Sequence, residues 1–370
     1  MAKAAVLRAI GHPLTIEEID VSDPGPFEVK IRTAAVGVCH SDLHFMEGSY
    51  HTDLPVVPGH ESSGVVESVG SAVTHVVAGD HVITCMSVFC GTCKLCTTGR
   101  PYLCETPNVE RGASDESRLS VAGEPLGQLY HLSSYAETML VHERAVVKIR
   151  KDMPLDRAAL IGCAVMTGFG AITNTAQVEV GASVAILGCG GIGLSAILGA
   201  VAAGATQIIA VDVSEDKLAL AREFGATNVV NASSSEPVAA VQELSGGGVE
   251  YAFEAIGLAA TCEQAYKMLR AGGEAVVIGM VAEGETVSIE AAELLYEKSL
   301  RGSNMGSNRF RVDMPVLVER YMAGLLPLDE MISKRVALDD INEAFDDMKS
   351  GAVARSVIVF DDVIEAAGQA

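Results

Sequence analysis

Over roughly the first 150 residues, apolar and polar positions alternate in short runs separated by turn signals, which is the period of half-buried strands. The runs over 3–37 are β-rich, and Pro24-Gly25-Pro26 is the clearest turn among them. Residues 29–38 predict a strand and 64–70 another. The alternation continues over 76–82 with a turn at Ala78-Gly79-Asp80, and short strands resume after Ser134 and run to Ile149. Such spacing predicts a partly closed β domain. Near Ala158 the texture changes. A helix-like apolar run reaches Ala176, and beyond it strand and helix alternate: strand 183–187, helix 191–203, strand 207–211, helix 214–224. Ser214 starts that last helix and Gly225 stops it. Further strands are expected over 229–231, 249–253 and 274–279, so this half predicts a parallel sheet covered on both faces. Helices over 315–323 and 339–349, a strand over 356–360 and an acidic tail from Asp361 complete the chain.

Composition adjusts this picture in three places. At 370 residues the chain exceeds one ordinary core, so two domains are expected. Residues 181–211 are long and uncharged enough to raise a membrane span, but their glycines divide them into strand, turn and helix, which reads as buried core and no membrane. A formal charge of −22 opposes binding to nucleic acid or anionic lipid. The first residues lack a secretory apolar region, so a cytoplasmic protein is expected. Its nine cysteines then point to metal or catalysis before disulfides.

Four of them, Cys90, Cys93, Cys96 and Cys104, fall at gaps of two, two and seven residues. That spacing suits one tetrahedral structural zinc in a loop over 90–104, with a disulfide cluster and an iron–sulfur centre as alternatives. Cys85, Cys189 and Cys262 sit in apolar or glycine-rich surroundings and read as small core residues. Gly188-Cys189-Gly190-Gly191-Ile192-Gly193 is a glycine-rich turn placed directly between a predicted strand and a predicted helix. In that context Gly188 permits the tight turn, Gly190 lets backbone approach a pyrophosphate, and Gly193 allows close helix–sheet contact. Asp212 ends the next strand, where it can accept from a ribose hydroxyl; a turn or capping role is its structural alternative. A carboxylate there repels a 2′-phosphate, which favours NAD over NADP.

Cys39, His60 and Cys163 are each unremarkable alone. Together, two thiolates and an imidazole leave a fourth position of a zinc open, the donor set of a catalytic metal. Cys39-His-Ser-Asp-Leu-His44, Gly59-His60-Glu61, the four-cysteine loop, Cys163, the 188–193 turn and Gly351-Ala-Val-Ala-Arg355 occur in an order and spacing that resembles the zinc-dependent medium-chain alcohol dehydrogenases, over essentially the whole chain. The resemblance implies a GroES-like catalytic domain over 1–164 and 305–370, and a Rossmann domain with a doubly wound parallel sheet over 165–304. It also implies two zinc ions per subunit, one catalytic on Cys39, His60 and Cys163 and one structural.

By the same resemblance Asp42 orients His60, Glu61 lies close behind the metal, Ser41 takes the substrate proton and His44 relays it to solvent. His40 and Arg355 contact the pyrophosphate and Lys217 neighbours the ribose; for His40 and His44 a plain surface role is the alternative. Tyr50, Met86, Val109, Met280 and Asn304, with Ser41, are expected along the substrate pocket. The implied reaction is reversible oxidation of a primary (aromatic or functionalised) or secondary alcohol with hydride transfer to NAD⁺. Competing readings are a nicotinoprotein holding NAD permanently, a glutathione-dependent formaldehyde dehydrogenase, and a zinc- and NAD-binding protein without turnover. Tyr50 and Pro107 or Asn108 stand where the glutathione branch carries an acidic residue and an arginine, which argues against that branch. The long 105–134 segment resembles that of dimeric relatives, so a homodimer is expected.

Overall fold

The computed structural model describes residues 1–112, 115–350 and 355–369. Residues 351–354, part of the resemblance, lie outside them. The chain divides into two units, Met1–Cys163 with Arg309–Ala370, and Ala164–Asn308.

The first unit is built around Glu28–Gly37, whose side chains are almost all buried. A strand buried on both faces belongs at the centre of a layer. This one pairs antiparallel with Ser62–Val69, Thr138–His142 and Ser356–Val359 in a seven-stranded sheet that also holds Val146–Ile149, His81–Thr84 and Lys334–Val336. A second sheet joins Ala2–Val6, Thr15–Val21, Leu119–Val121, Glu124–Gln128 and Val56–Val57. The 105–134 segment therefore contributes two strands of its own. Of the alternation over 76–82 only His81 and Val82 are strand, because the Asp80 carboxylate turns the chain by accepting from the Val77 N–H at 3.0 Å.

In the second unit six parallel strands run in the order Asn228–Asn231, Gln207–Asp212, Ser183–Leu187, Val249–Glu254, Leu269–Val277 and Ser299–Gly302. Numbered along the chain this is 3-2-1-4-5-6, the doubly wound order. The core holds Ala185, Leu187, Ile209, Val211, Val249 and Ala252. Helix Gly191–Ala203 is apolar nearly all round and mostly buried, as a helix lying on a sheet within a core must be.

Two elements begin earlier than their sequence pattern suggests. The strand expected from Glu274 starts at Leu269, with a register shift between Val249 and Tyr251 of its neighbour. The helix expected to open at Pro315 opens at Phe310 and carries the proline inside it. Buried Phe310, Met314, Leu317 and Val318 form one continuous stripe, and its burial outweighs the lost N–H of Pro315. Among the described residues one helical run, Leu155–Ala176, is long and apolar enough to cross a membrane, and 94% of its most apolar window is buried in the protein.

Candidate active site

Sheet register brings the first cluster together. Glu28–Gly37 and Ser62–Val69 pair with Val36 opposite Ser62, and Gly37 N–H donates to Glu61 O at 2.8 Å. Cys39 and His60 therefore leave the same end of adjacent strands. Cys39, in extended backbone, opens helix His40–Met46. His60 follows Gly59, whose φ of +97° excludes most side chains; a Cβ there would also meet Tyr135 N at 2.5 Å. Cys163 arrives in a π-helical turn, Ile161–Val165, whose Gly162 lies so close that a Cβ would meet Thr84 O at 3.1 Å and Ser62 N at 3.3 Å.

The donor atoms of Cys39, His60 and Cys163 all lie within 4.8 Å of one another. The three residues are 2%, 0% and 3% exposed. His60 Nδ1 faces Asp42 Oδ1 at 3.0 Å, which fixes a proton on Nδ1 and turns Nε2 toward the two thiols. His60 Nε2 is buried and has no hydrogen-bond partner. An orphaned imidazole nitrogen between two thiols fits a zinc ion with one coordination position left for another ligand.

The charges agree. Burial opposes protonation of His60, but the carboxylate of Asp42 and the sulfur of Cys39 outweigh it and raise the imidazole to about 10, the mark of a cavity that favours a cation. The hydrogen bond with Cys163 holds Cys39 well below the ordinary thiol range, against burial and with help from Arg355 and His60. The same bond, then burial, pushes Cys163 well above it. Behind the cluster Glu61 is fully buried and takes Arg355 on both oxygens, with Nε at 3.2 Å and Nη2 closer. Arg355, expected on the pyrophosphate, is 6% exposed and turned to this carboxylate.

The second cluster is local. Cys90, Cys93, Cys96 and Cys104 bring their sulfurs within 4.8 Å of one another, with Cys90 to Cys96 at 3.8 Å and Cys93 to Cys104 at 4.0 Å. A tetrahedron with Zn–S of about 2.3 Å has edges of about 3.8 Å, whereas a disulfide is about 2.05 Å long. All nine cysteines are free, and these four fit a single ion. Backbone N–H groups of Thr92 and Cys93 point at Cys90 Sγ at 3.4 and 3.2 Å, and the bond from Thr92 leads in drawing that thiol down to about 5.

In the second unit Gly188 has φ +91°, and a Cβ on Gly193 would meet Gly188 O at 1.7 Å. A Cβ on Gly190 would meet nothing within 4 Å, so backbone is bare there at the start of a thirteen-residue helix that lacks a side-chain cap. Bare backbone at an uncapped helix start suits a phosphate group. Asp212 accepts from Cys189 N at 2.7 Å and Ser214 N at 3.0 Å, one bond to each oxygen, leaving each a lone pair for a ribose hydroxyl. Lys217 is half-buried one turn into the next helix.

Ser41 Oγ lies 3.6 Å from Cys39 Sγ. His40 is exposed in the first turn of His40–Met46, and His44 is half-buried in the last, its ring 6.2 Å from that of Tyr50. Val109, expected on the pocket wall, is 2% exposed and packs in the apolar core, with Met86 against it. Met280 and Asn304 belong to the second unit.

Sequence reasoning missed Phe45, Tyr130 and Tyr135. The Tyr130 ring stands nearly edge-on to His60 at 5.4 Å and to Phe45 at 5.3 Å, and Phe45 reaches Tyr50 at 5.7 Å. Tyr130 holds φ +55°, unusual for an aromatic residue. Tyr135 donates to Asp42 Oδ2 at 2.8 Å. The only available signal was an aromatic residue in an otherwise polar stretch.

A β-rich unit with two thiol-rich clusters that fit metal ions, joined in one chain to a doubly wound unit with a glycine-rich turn, is the pattern of a zinc-binding dehydrogenase. Comparison with known proteins agrees. Residues 25–151 match the alcohol dehydrogenase GroES-like domain and residues 191–319 the zinc-binding dehydrogenase domain. The chain is 39% identical over 368 residues to alcohol dehydrogenase class-3 of Drosophila melanogaster, covering 97% of each. A solved alcohol dehydrogenase zinc-binding domain protein from Burkholderia ambifaria superposes with a TM-score of 0.92 at 36% identity, over 97% of this chain and 98% of that one. Benzyl alcohol dehydrogenase from Acinetobacter calcoaceticus gives 0.91 at 33%, over 97% and 99%. The chain belongs to the zinc-dependent medium-chain alcohol dehydrogenase family and is an enzyme of that kind.

Proposed function

We propose that this enzyme reversibly oxidises a medium-sized primary or secondary alcohol, with NAD⁺ as hydride acceptor. The observation that carries the reading is the orphaned His60 Nε2 held between Cys39 and Cys163. Zinc there supplies Lewis acidity and NAD⁺ supplies the oxidant. Cys39, His60 and Cys163 hold the ion, Asp42 keeps His60 in the right tautomer, and the four-thiol loop holds a second, structural zinc. Ser41, against Cys39, takes the hydroxyl proton, and His44 at the far end of the same short helix passes it toward solvent. Glu61 backs the centre. The bare backbone at Gly188, Gly190, Gly191 and Gly193 grips the pyrophosphate, while Asp212 and Lys217 take the ribose.

The aromatic wall of Phe45, Tyr50 and Tyr130 beside His60 supports an aromatic alcohol, as does the likeness to a benzyl alcohol dehydrogenase. A homodimer is supported by the edge strand Ser299–Gly302 and the nearby exposed Leu295 and Tyr296, and a cytoplasmic setting by nine free thiols.

A panel of primary, secondary and aromatic alcohols, scored by kcat/KM with NAD⁺ and with NADP⁺, tests the reading. Wild type should favour NAD⁺ by at least about a hundredfold, and Asp212→Gly should narrow that ratio about tenfold or more by removing a charge that repels the 2′-phosphate. A ratio unmoved by the exchange removes Asp212 from the site.

A further inference from the structure

Asp42 is fully buried and accepts three hydrogen bonds, of which the link to His60 needs only one. Its Oδ1 takes Gly59 N–H and His60 Nδ1–H, each at 3.0 Å. Among the described residues Oδ2 has a single hydrogen-bond partner, the Tyr135 hydroxyl at 2.8 Å. From this we infer that Tyr135 is a positioning residue for the catalytic metal: its phenol locks Asp42, and through Asp42 the ring of His60, in the orientation that points Nε2 at the ion. The inference rests on the metal reading of Cys39, His60 and Cys163.

The phenol is itself fixed on every side. Tyr135 is 0% exposed. Its N–H donates to Pro58 O at 3.0 Å and its carbonyl accepts from Ala5 N at 2.8 Å, while the adjacent Ser134 N–H donates to Gly59 O at 3.0 Å. These bonds lay residues 134–135 alongside 58–59, immediately before His60. The ring stands edge-on to Phe345, with centroids 6.0 Å apart. A phenol keeps its proton at neutral pH, so beside a carboxylate it is the donor. Gly37 O lies at 3.3 Å, but one hydroxyl has one proton and the shorter contact to a carboxylate takes it. An aspartate is torsionally soft about its last bond. Without a donor on Oδ2, nothing but Gly59 and His60 themselves would hold the carboxylate plane.

The test compares Tyr135→Phe with wild type, both fully loaded with zinc, by following release into a chromophoric chelator and by recording the cobalt(II)-substituted spectrum. Cys163→Ser, which retains only the four-thiol site, identifies which phase of release belongs to which ion. Tyr135→Phe should release the Cys39–His60–Cys163 ion about tenfold faster, as loss of an outer partner of a ligand does, and leave the four-thiol ion unchanged. The cobalt ligand-field bands should shift. In an Asp42→Asn background the same exchange should add less than about twofold, because the phenol acts through that carboxylate. Release within about twofold of wild type with an unshifted spectrum overturns the inference, and so does equal acceleration at both sites, which is general loosening. A wild-type chain that takes up only the four-thiol zinc overturns the inference and the reading beneath it together.

Discussion

Cys90, Cys93, Cys96 and Cys104 come from one short loop, and three of the four remain partly exposed. Cys39, His60 and Cys163 come from three distant segments and are almost wholly enclosed. The loop shapes itself: backbone N–H groups of Cys90, Thr92, Cys93 and Cys96 bond to sulfurs of the same loop. The enclosed cluster has no local geometry of its own. Strand register sets Cys39 and His60, the close approach of Gly162 to Thr84 and Ser62 sets Cys163, and Asp42 with Tyr135 sets the imidazole. A self-shaped loop can spend all four positions on holding structure. A cluster fixed by the surrounding fold can keep three donors rigid and leave one position free.

Exchange of one thiol in each cluster should separate these roles. Cys163→Ser should lower kcat/KM by at least about a thousandfold, roughly 4 kcal/mol of barrier, and remove one zinc per chain by metal analysis while the melting midpoint stays near that of wild type. Retained activity would return Cys163 to the ordinary core. Cys96→Ser should also remove one zinc, but its chief effect should be a fall in melting midpoint on the order of 10 °C, with kcat at low temperature within a few-fold of wild type. If Cys96→Ser abolished turnover while the fold stood intact, the division of labour would be wrong.

The smallest effect concerns the segment just beyond the loop. Buried Glu28 takes Arg111 Nε at 3.0 Å and Arg118 Nε at 2.7 Å, and so fastens the stretch after Cys104 to the central strand. Burial opposes its ionisation, but the two guanidinium groups and Gly25 N–H prevail and bring the carboxyl to about 2. A folded value below the unfolded one of about 4.3 gives stability that is complete above pH ~4.5 and is lost as pH falls toward 2. Glu28→Gln should therefore cost about 2–3 kcal/mol at pH 7 by urea unfolding, and the gap to wild type should close steadily between pH 4.5 and 2.5. A gap that stays constant with pH would assign the loss to packing instead.

Legibility in the sequence divides along the same line. The four cysteines and the 188–193 turn were legible because their partners are neighbours in the chain, and the helix over Gly191–Ala203 was placed to the residue. Cys39, His60 and Cys163 were legible only as a donor set; their convergence depends on strand pairing, which spacing does not encode. Tyr135 lies 93 residues from Asp42, and Arg355 lies 294 from Glu61. No periodicity reports such contacts, so neither the pairing of the arginine with Glu61 nor the tyrosine could be read from spacing. Pro315 misled for the opposite reason, since a strong local rule was overruled by the burial of Phe310, Met314, Leu317 and Val318.

The chain leaves the first unit at Cys163 and returns to it at Arg309, with consequences for the order of assembly. Ser356–Val359 pairs with the end of Glu28–Gly37 that leads into Cys39, and Val38 N–H donates to Ser356 O at 3.0 Å. During synthesis from the amino end, that edge stays open until Ser356–Val359 has emerged, by which time the whole inserted unit has been made. Backbone support for the first thiol of the enclosed cluster is therefore completed after the inserted unit, and a ribosome halted before Val357 holds a nascent chain whose four-cysteine loop is already whole while the enclosed cluster still lacks a flanking strand.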